Sequence, residues 1–166
     1  MSLAHQLLLG SFQAPKYWLL EATDVSWGIE SGTGSYYQAF YTIGLYSTTD
    51  ATGTDLAQGR PASASSVYGG GSYPASNAND GSGGSYWVSS YPSNSPQWWK
   101  VLLPDGSVAV NSVKLVSSPV SVPLPPYTTQ AKAKSYRLQS SYDNANWTTR
   151  ATFSTTDIGT EILTLS

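Results

Sequence analysis

Residues 62–101 read ASASSVYGGGSYPASNANDGSGGSYWVSSYPSNSPQWWKV, and the reading of this stretch decides the fold. A run of small residues opens it as a short strand. The glycine-rich segment that follows can bend tightly, because glycine takes backbone angles closed to other residues. Asp80-Gly81 is a tight-turn dipeptide, the aspartate able to accept from nearby amides and the glycine free to take positive φ. Trp87 and one of Trp98 and Trp99 offer large aromatic area to bury between two sheets. Gln97-Trp98-Trp99 opens the next strand.

Strand signals continue on both sides. Lys16–Ala22 (KYWLLEA) and Tyr36–Tyr46 (YYQAFYTIGLY) are dense in β-formers. Trp98–Leu103 and Val108–Val116 read as a hairpin across Pro104-Asp105-Gly106, with valines keeping a period of two on either side of Asn111. Lys134–Ser141 alternates and directs Tyr136 and Leu138 inward. Thr148–Phe153 and Thr160–Leu165 supply two closing strands. Pro119, Pro123, Pro125 and Pro126 exclude a central strand between residues 117 and 133. No heptad, long helix or internal repeat occurs. The fold class expected is all-β.

These motifs in their order, ASASS, SNANDG, YWVSS, PQWWKVLLPDGSVAVNSVKL and KSYRLQSSYDNANWTT, resemble the discoidin family. These are the coagulation factor 5/8 type C, galactose-binding-like jelly-roll domains. The resemblance covers roughly residues 17 to 153. It implies an antiparallel β-sandwich. Tyr17-Trp18-Leu19-Leu20 and Asp55-Leu56-Ala57-Gln58-Gly59 are similar to segments of phage-encoded members. By that likeness the strand that closes the standard module has moved to the front, a circular shift of the same sandwich. Residues 1–14 form a short N-terminal arm, either folded over its own domain or docking on a neighbour, and residues 15–166 form the domain.

With 166 residues, eight Lys and Arg against ten Asp and Glu, and no cysteine, the chain has room for one core and none for disulfides or thiolate metal sites. A net charge of −2 gives no pull towards nucleic acid or an anionic membrane. Leu7-Leu8-Leu9 is too short to span a bilayer, and no Lys or Arg precedes it as in a secretory signal. The expectation is a protein made in a host cytoplasm and carried on a virion.

Catalysis finds little support. His5 is the single histidine, so a serine triad and a zinc site lack partners. Asp55, Asp80, Asp105, Asp143 and Asp157 all stand in turn-like contexts, where a carboxylate bonds local amides. The expectation is no enzyme.

For binding, Trp27, Tyr68, Tyr73, Tyr91 and Tyr127 fall on inferred loops at the sandwich ends, and Arg60 and Asn94 add polar groups. Such residues make a carbohydrate platform or a protein–protein surface alike. Trp87, Trp98 and Trp147 read as core, and Arg137 as one half of an edge salt bridge. The resemblance further implies a calcium loop, with the Asp80 carboxylate, the Ser85 hydroxyl and carbonyls near Asn77 and Gly81 as oxygen ligands. The second carboxylate that usually accompanies them has no counterpart in Tyr36–Tyr46. A metal-free, hydrogen-bonded loop is the alternative.

The function expected is a non-enzymatic bacteriophage virion protein of tail, baseplate or fibre. It would dock on other virion proteins or on copies of itself, and contact host surface glycans. A stand-alone carbohydrate-binding module and a capsid decoration protein are the rival readings.

Overall fold

The computed structural model describes residues 14–23, 38–90, 96–104, 109–117, 135–155 and 159–165. Among the described residues there are ten strands: β1 (Tyr17–Ala22), β2 (Ala39–Phe40), β3 (Thr42–Tyr46), β4 (Ala62–Ala64), β5 (Trp87–Val88), β6 (Trp98–Leu102), β7 (Ser112–Ser117), β8 (Ser135–Ser141), β9 (Thr148–Ser154) and β10 (Gly159–Thr164). All pairings are antiparallel. One sheet has the order β4-β6-β1-β8-β9, a second the order β10-β7-β3, and β2 pairs with β5 alone. The molecule is an all-β sandwich, as the alternating sequence implies.

The period of two sorts the side chains. Along β1 the residues alternate between half-buried and buried, so Trp18, Leu20 and Ala22 enter the core. Trp99 and Val101 on β6 and Tyr136 and Leu138 on β8 join them from the same sheet. Ile43, Leu45, Val113 and Leu115 meet them from the smaller one. Phe40 and Trp87 complete the core, stacked at 6.3 Å, with Tyr136 edge-on to Phe40 at 5.8 Å.

Each buried indole reaches a carbonyl, as a buried N–H must. Trp99 Nε1 donates to the Ala75 carbonyl (2.9 Å), Trp87 Nε1 to that of Ser66 (3.1 Å) and Trp18 Nε1 to that of Pro15 (3.2 Å). Two of these carbonyls belong to the segment from Ser65 to Ala75, so the core tryptophans hold that segment down. Gln97 strengthens the hold: its Oε1 accepts from the Ser65 hydroxyl (2.8 Å) and from that of Ser66.

Four expectations are corrected. Residues 36–46 are not one strand: the chain breaks at Tyr41, whose amide donates to Val116 (2.9 Å), so β2 and β3 serve different sheets. β6 and β7 are not a hairpin. β6 pairs with β4 and β1, while β7 pairs with β3 and β10, and the chain crosses between layers past buried Leu103 and Val110. Trp98 and Trp147 are half-buried rather than core; Trp99 is the core member of its pair, 1% exposed. Arg137 does pair with Glu21, through Nε at 3.1 Å and Nη2 at 2.5 Å, but β8 lies inside the sheet and not at its edge. The arm at residues 1–14 lies outside the described residues except for Ala14, and the turn at Asp105-Gly106 lies wholly outside them.

Candidate functional site

β4 is three residues long, and its register fixes what lies at each end. Its first residue, Ala62, pairs with Val101 and its last, Ala64, with Trp99. Arg60 therefore lies beside the C-terminal end of β6, whereas Tyr68 and Tyr73 lie beyond its start.

At the second end the chain from Ser65 to Pro74 forms a loop around a single 3-10 turn, Gly69–Gly71. All three glycines have positive φ, at 68°, 64° and 105°, a conformation that side-chain-bearing residues rarely adopt. The turn reverses the chain so that Tyr68 N–H donates to the Val88 carbonyl (2.8 Å) and Val88 N–H to that of Tyr73 (3.3 Å). Both tyrosines are thereby clamped to β5.

They do not stand alone. Tyr68 and Tyr73 lie 6.1 Å apart between ring centres, Tyr73 stacks on Tyr86 at 5.0 Å, and Tyr86 meets Tyr41 at 4.9 Å. The result is a string of four half-buried phenols over a floor of Ala39 and Val88. Tyr86 hydrogen-bonds Tyr73, and burial, that bond and the neighbouring phenols push its pKa up to about 12. Tyr86 is thus a neutral hydroxyl throughout the physiological range. Among the described residues, the groups that act on the Tyr86 hydroxyl are the phenols of Tyr73 and Tyr41.

Sequence reasoning found Tyr68 and Tyr73 and missed Tyr41 and Tyr86. The signal for Tyr86 was present: it precedes the buried Trp87, so the period of two turns it to the opposite face. Tyr41 was hidden because residues 36–46 read as one strand. Trp27, Tyr91, Asn94 and Tyr127 lie outside the described residues. Arg60 is not brought to the tyrosines.

The loop read as a calcium site is well defined. Asp80 Oδ1 accepts from the Ser82 amide (2.7 Å), and Oδ2 accepts from the Ser85 hydroxyl. Asn77 Nδ2 donates to the Tyr86 carbonyl (3.1 Å), tying the loop to the tyrosine string. Gly81 has a φ of 81°, and a Cβ there would lie 2.1 Å from Gln58 Nε2. The donor set suits a hard cation in kind and falls short in charge, since Asp80 is its sole carboxylate and both its oxygens already accept hydrogen bonds. Among the described residues no group of three or more His, Cys, Asp or Glu side chains comes together.

The other described aspartates at turns hold backbone. Asp55 Oδ1 accepts from the Leu45 (3.0 Å) and Ala57 (2.9 Å) amides and ties residues 55–57 to β3. Burial raises its pKa, against the opposing pull of those amides. Asp143 accepts from the Ala145 (2.9 Å) and Asn146 (2.8 Å) amides, which hold its carboxyl well below the usual carboxylate range.

A sandwich of this kind, with neutral aromatic loops at one end and aspartate-held turns, has the architecture of galactose-binding-like domains. The family model of the NedA-like, galactose-binding domain of F5/8 type C matches residues 77–166, more than half of the chain. The chain belongs to that family. No curated protein matches it, and no solved structure does.

Proposed function

We propose that this chain is a non-enzymatic carbohydrate-binding domain whose tyrosine string is the glycan platform. The observation that carries the reading is the string itself: four ring faces and four hydroxyls, uncharged, on a family sandwich. Sugar rings offer patches of C–H that stack on aromatic faces, and neutral hydroxyls that exchange hydrogen bonds with phenols. The family name points to galactose as the first probe. Calorimetric titration with methyl β-galactoside and a neutral glycan array test the reading. Binding that weakens tenfold or more in Tyr73→Ala and Tyr86→Ala supports it; a silent array and calorimeter remove it.

The setting we infer is a bacteriophage virion, at the tail, baseplate or fibre, with the protein made in the host cytoplasm. The likeness of the YWLL, DLAQG and ASASS motifs to phage-encoded members supports this. The partners are other virion proteins, or copies of this chain, and host surface glycans; neither nucleic acid nor membrane insertion belongs to the reading. Among the described residues no helix is long and apolar enough to cross a membrane. Residues 1–14 and 118–130 would be the docking parts. Particles that still incorporate a protein lacking residues 1–14 would remove the arm from the account.

Calcium, in this reading, is a weak stabiliser. The Asp80 carboxylate and Ser85 hydroxyl would hold it, with carbonyls near Asn77 and Gly81, and it would supply positive charge that cross-links the loop.

A further inference from the structure

An open sheet edge offers a row of N–H and C=O groups to any strand that can reach it. Among the described residues the two larger sheets have four edge strands: β4 and β9 in one, β3 and β10 in the other. Three of them are guarded. β4 is only three residues long. β9 carries a bulge: Arg150 has no counterpart in the register with β8, and its exposed side chain donates from Nε to Ser140 Oγ (2.6 Å). β3 is capped by its own chain. Leu45 N–H donates to Asp55 Oδ1 (3.0 Å) and the Leu45 carbonyl accepts from Leu56 N–H (2.8 Å), so Asp55-Leu56 stands where a further strand would pair.

β10 has none of these devices. It is six residues long, without proline or lysine, and its register with β7 is unbroken. Leu165 N–H donates to the Asn111 carbonyl on the β7 side (2.8 Å), so by alternation residues 159, 161 and 163 also turn their backbone groups to β7. The backbone groups of Thr160, Ile162 and Thr164 therefore point to the open side. The side chains of these three are exposed on the outer face, with Ile162 48% exposed. An exposed isoleucine on an unguarded edge is what proteins that stay apart avoid.

The order of the residues selects the occupant. Thr160 and Thr164 flank Ile162 at equal distance, so the exposed positions read the same in both directions. An antiparallel second copy of β10, related by a two-fold axis at Ile162, sets Ile162 against Ile162 and Thr160 against Thr164 twice. These pairs are of the hydrogen-bonded kind and exchange about six N–H···O=C bonds, and β-branched pairs across strands are favourable. Among the described residues no like charges stand directly opposite at this seam. Glu161 comes opposite the second copy's Leu163. Lys114, opposite Ile162 on β7, neighbours the Asp55 carboxylate. Its twin lies three strand spacings away, about 14 Å, beyond the Debye length of about 8 Å.

We propose that the open edge of β10 is a self-association surface, where a second copy of this chain adds its β10 to make one six-stranded sheet, β3-β7-β10-β10-β7-β3. The contact is isologous, as a two-fold dimer requires. A seam of two six-residue edges is smaller than a standard interface of roughly 1,200 Å² or more. The dimer therefore forms where copies are concentrated or held side by side, and not at high dilution. No tyrosine of the string lies on β10, and the surface stands whether or not that string binds sugar.

The test is sedimentation of the whole chain from about 10 μM to about 1 mM, with amide hydrogen exchange at both ends of the range. The expected result is a monomer at the low end and a dimer at the high end. Exchange at Thr160, Ile162 and Thr164 should slow as concentration rises, while Glu161 and Leu163, already bonded to β7, stay as they are. Ile162→Lys and Ile162→Glu each set like charges face to face at the axis and are expected to weaken association at least about tenfold. Thermal melting checks that both fold. Mixed in equal amounts they set Lys against Glu, and the dimer is expected to return. A monomer at every concentration overturns the surface, as does a dimer that both variants leave intact. Slow exchange at Thr160, Ile162 and Thr164 at every concentration also overturns it, because the edge is then covered within one chain.

Discussion

The two ends of β4 lead to surfaces of opposite chemistry. One end runs into a glycine turn that stands four neutral phenols over Ala39 and Val88. The other meets two cations, Lys16 and Arg60, in a cleft above leucine and proline. The first is built from long loops and needs positive φ at three consecutive glycines. The second is built from strand ends alone and needs only the order of three neighbouring strands. The contrast teaches where each kind of recognition comes from. Stacking surfaces require loops shaped to lay rings side by side, whereas Lys16 and Arg60 are set on the two flanks of β6 by strand order alone.

The largest expected effect separates the two ends by their dependence on the core. Trp99→Ala removes a fully buried indole and orphans the Ala75 carbonyl. It is expected to cost about 3–5 kcal/mol by chemical denaturation, and Trp98→Ala, at a half-buried position, about 1 kcal/mol or less. Equal costs for the two would contradict the assignment of Trp99 to the core. Next come the binding variants. Tyr86→Ala interrupts the string between Tyr73 and Tyr41 and is expected to weaken methyl β-galactoside binding by about tenfold to a hundredfold, or about 1.4–2.8 kcal/mol. Arg60→Gln is expected to leave that binding within twofold. Loss of galactoside binding in Arg60→Gln would merge the two ends into one site.

Calcium should produce a smaller change. A single-carboxylate loop with an affinity near the millimolar range of extracellular modules gains roughly 0.4 kcal/mol at millimolar ion. That corresponds to a rise in Tm of about 1–2 °C that EGTA reverses. Asp80→Asn should abolish it, and no shift in the native chain would leave the loop to its hydrogen bonds alone. The smallest effect concerns pH. Asp143 has a folded pKa below its unfolded value, so its contribution is fully present above about pH 4 and is lost as pH falls through the folded value. Asp143→Asn should flatten the acid limb of the Tm–pH curve, and an unchanged limb would show that the turn carries no such linkage.

Much of this was legible in the sequence because strand alternation is a strong local signal. Tyr136 and Leu138 enter the core where the period of two sends them. The motif order carried the family as well. What alternation does not reveal is which strand pairs with which. Residues 98–116 contain two good strands joined by a turn-forming sequence, yet they belong to different sheets, because β6 finds its partners in β4 and β1. The same limit hid the cleft: Lys16, Arg60 and Leu103 are distant in sequence and meet only through strand order. It also hid half of the tyrosine string. Tyr68 and Tyr73 sit in an evident loop, while Tyr41 reads as part of one strand over residues 36–46 and Tyr86 draws no notice beside the core Trp87.

One measurement bears most directly on the central claim that the tyrosine end is the glycan platform. An amide NMR titration of the intact chain with methyl β-galactoside is expected to move the signals of Tyr41, Tyr68 to Tyr73 and Tyr86 to Val88. The signals of Leu102 and Leu103 should stay in place. Galactoside shifts centred on Leu102 and Leu103, or no shift at any of these tyrosines at saturating sugar, would contradict it.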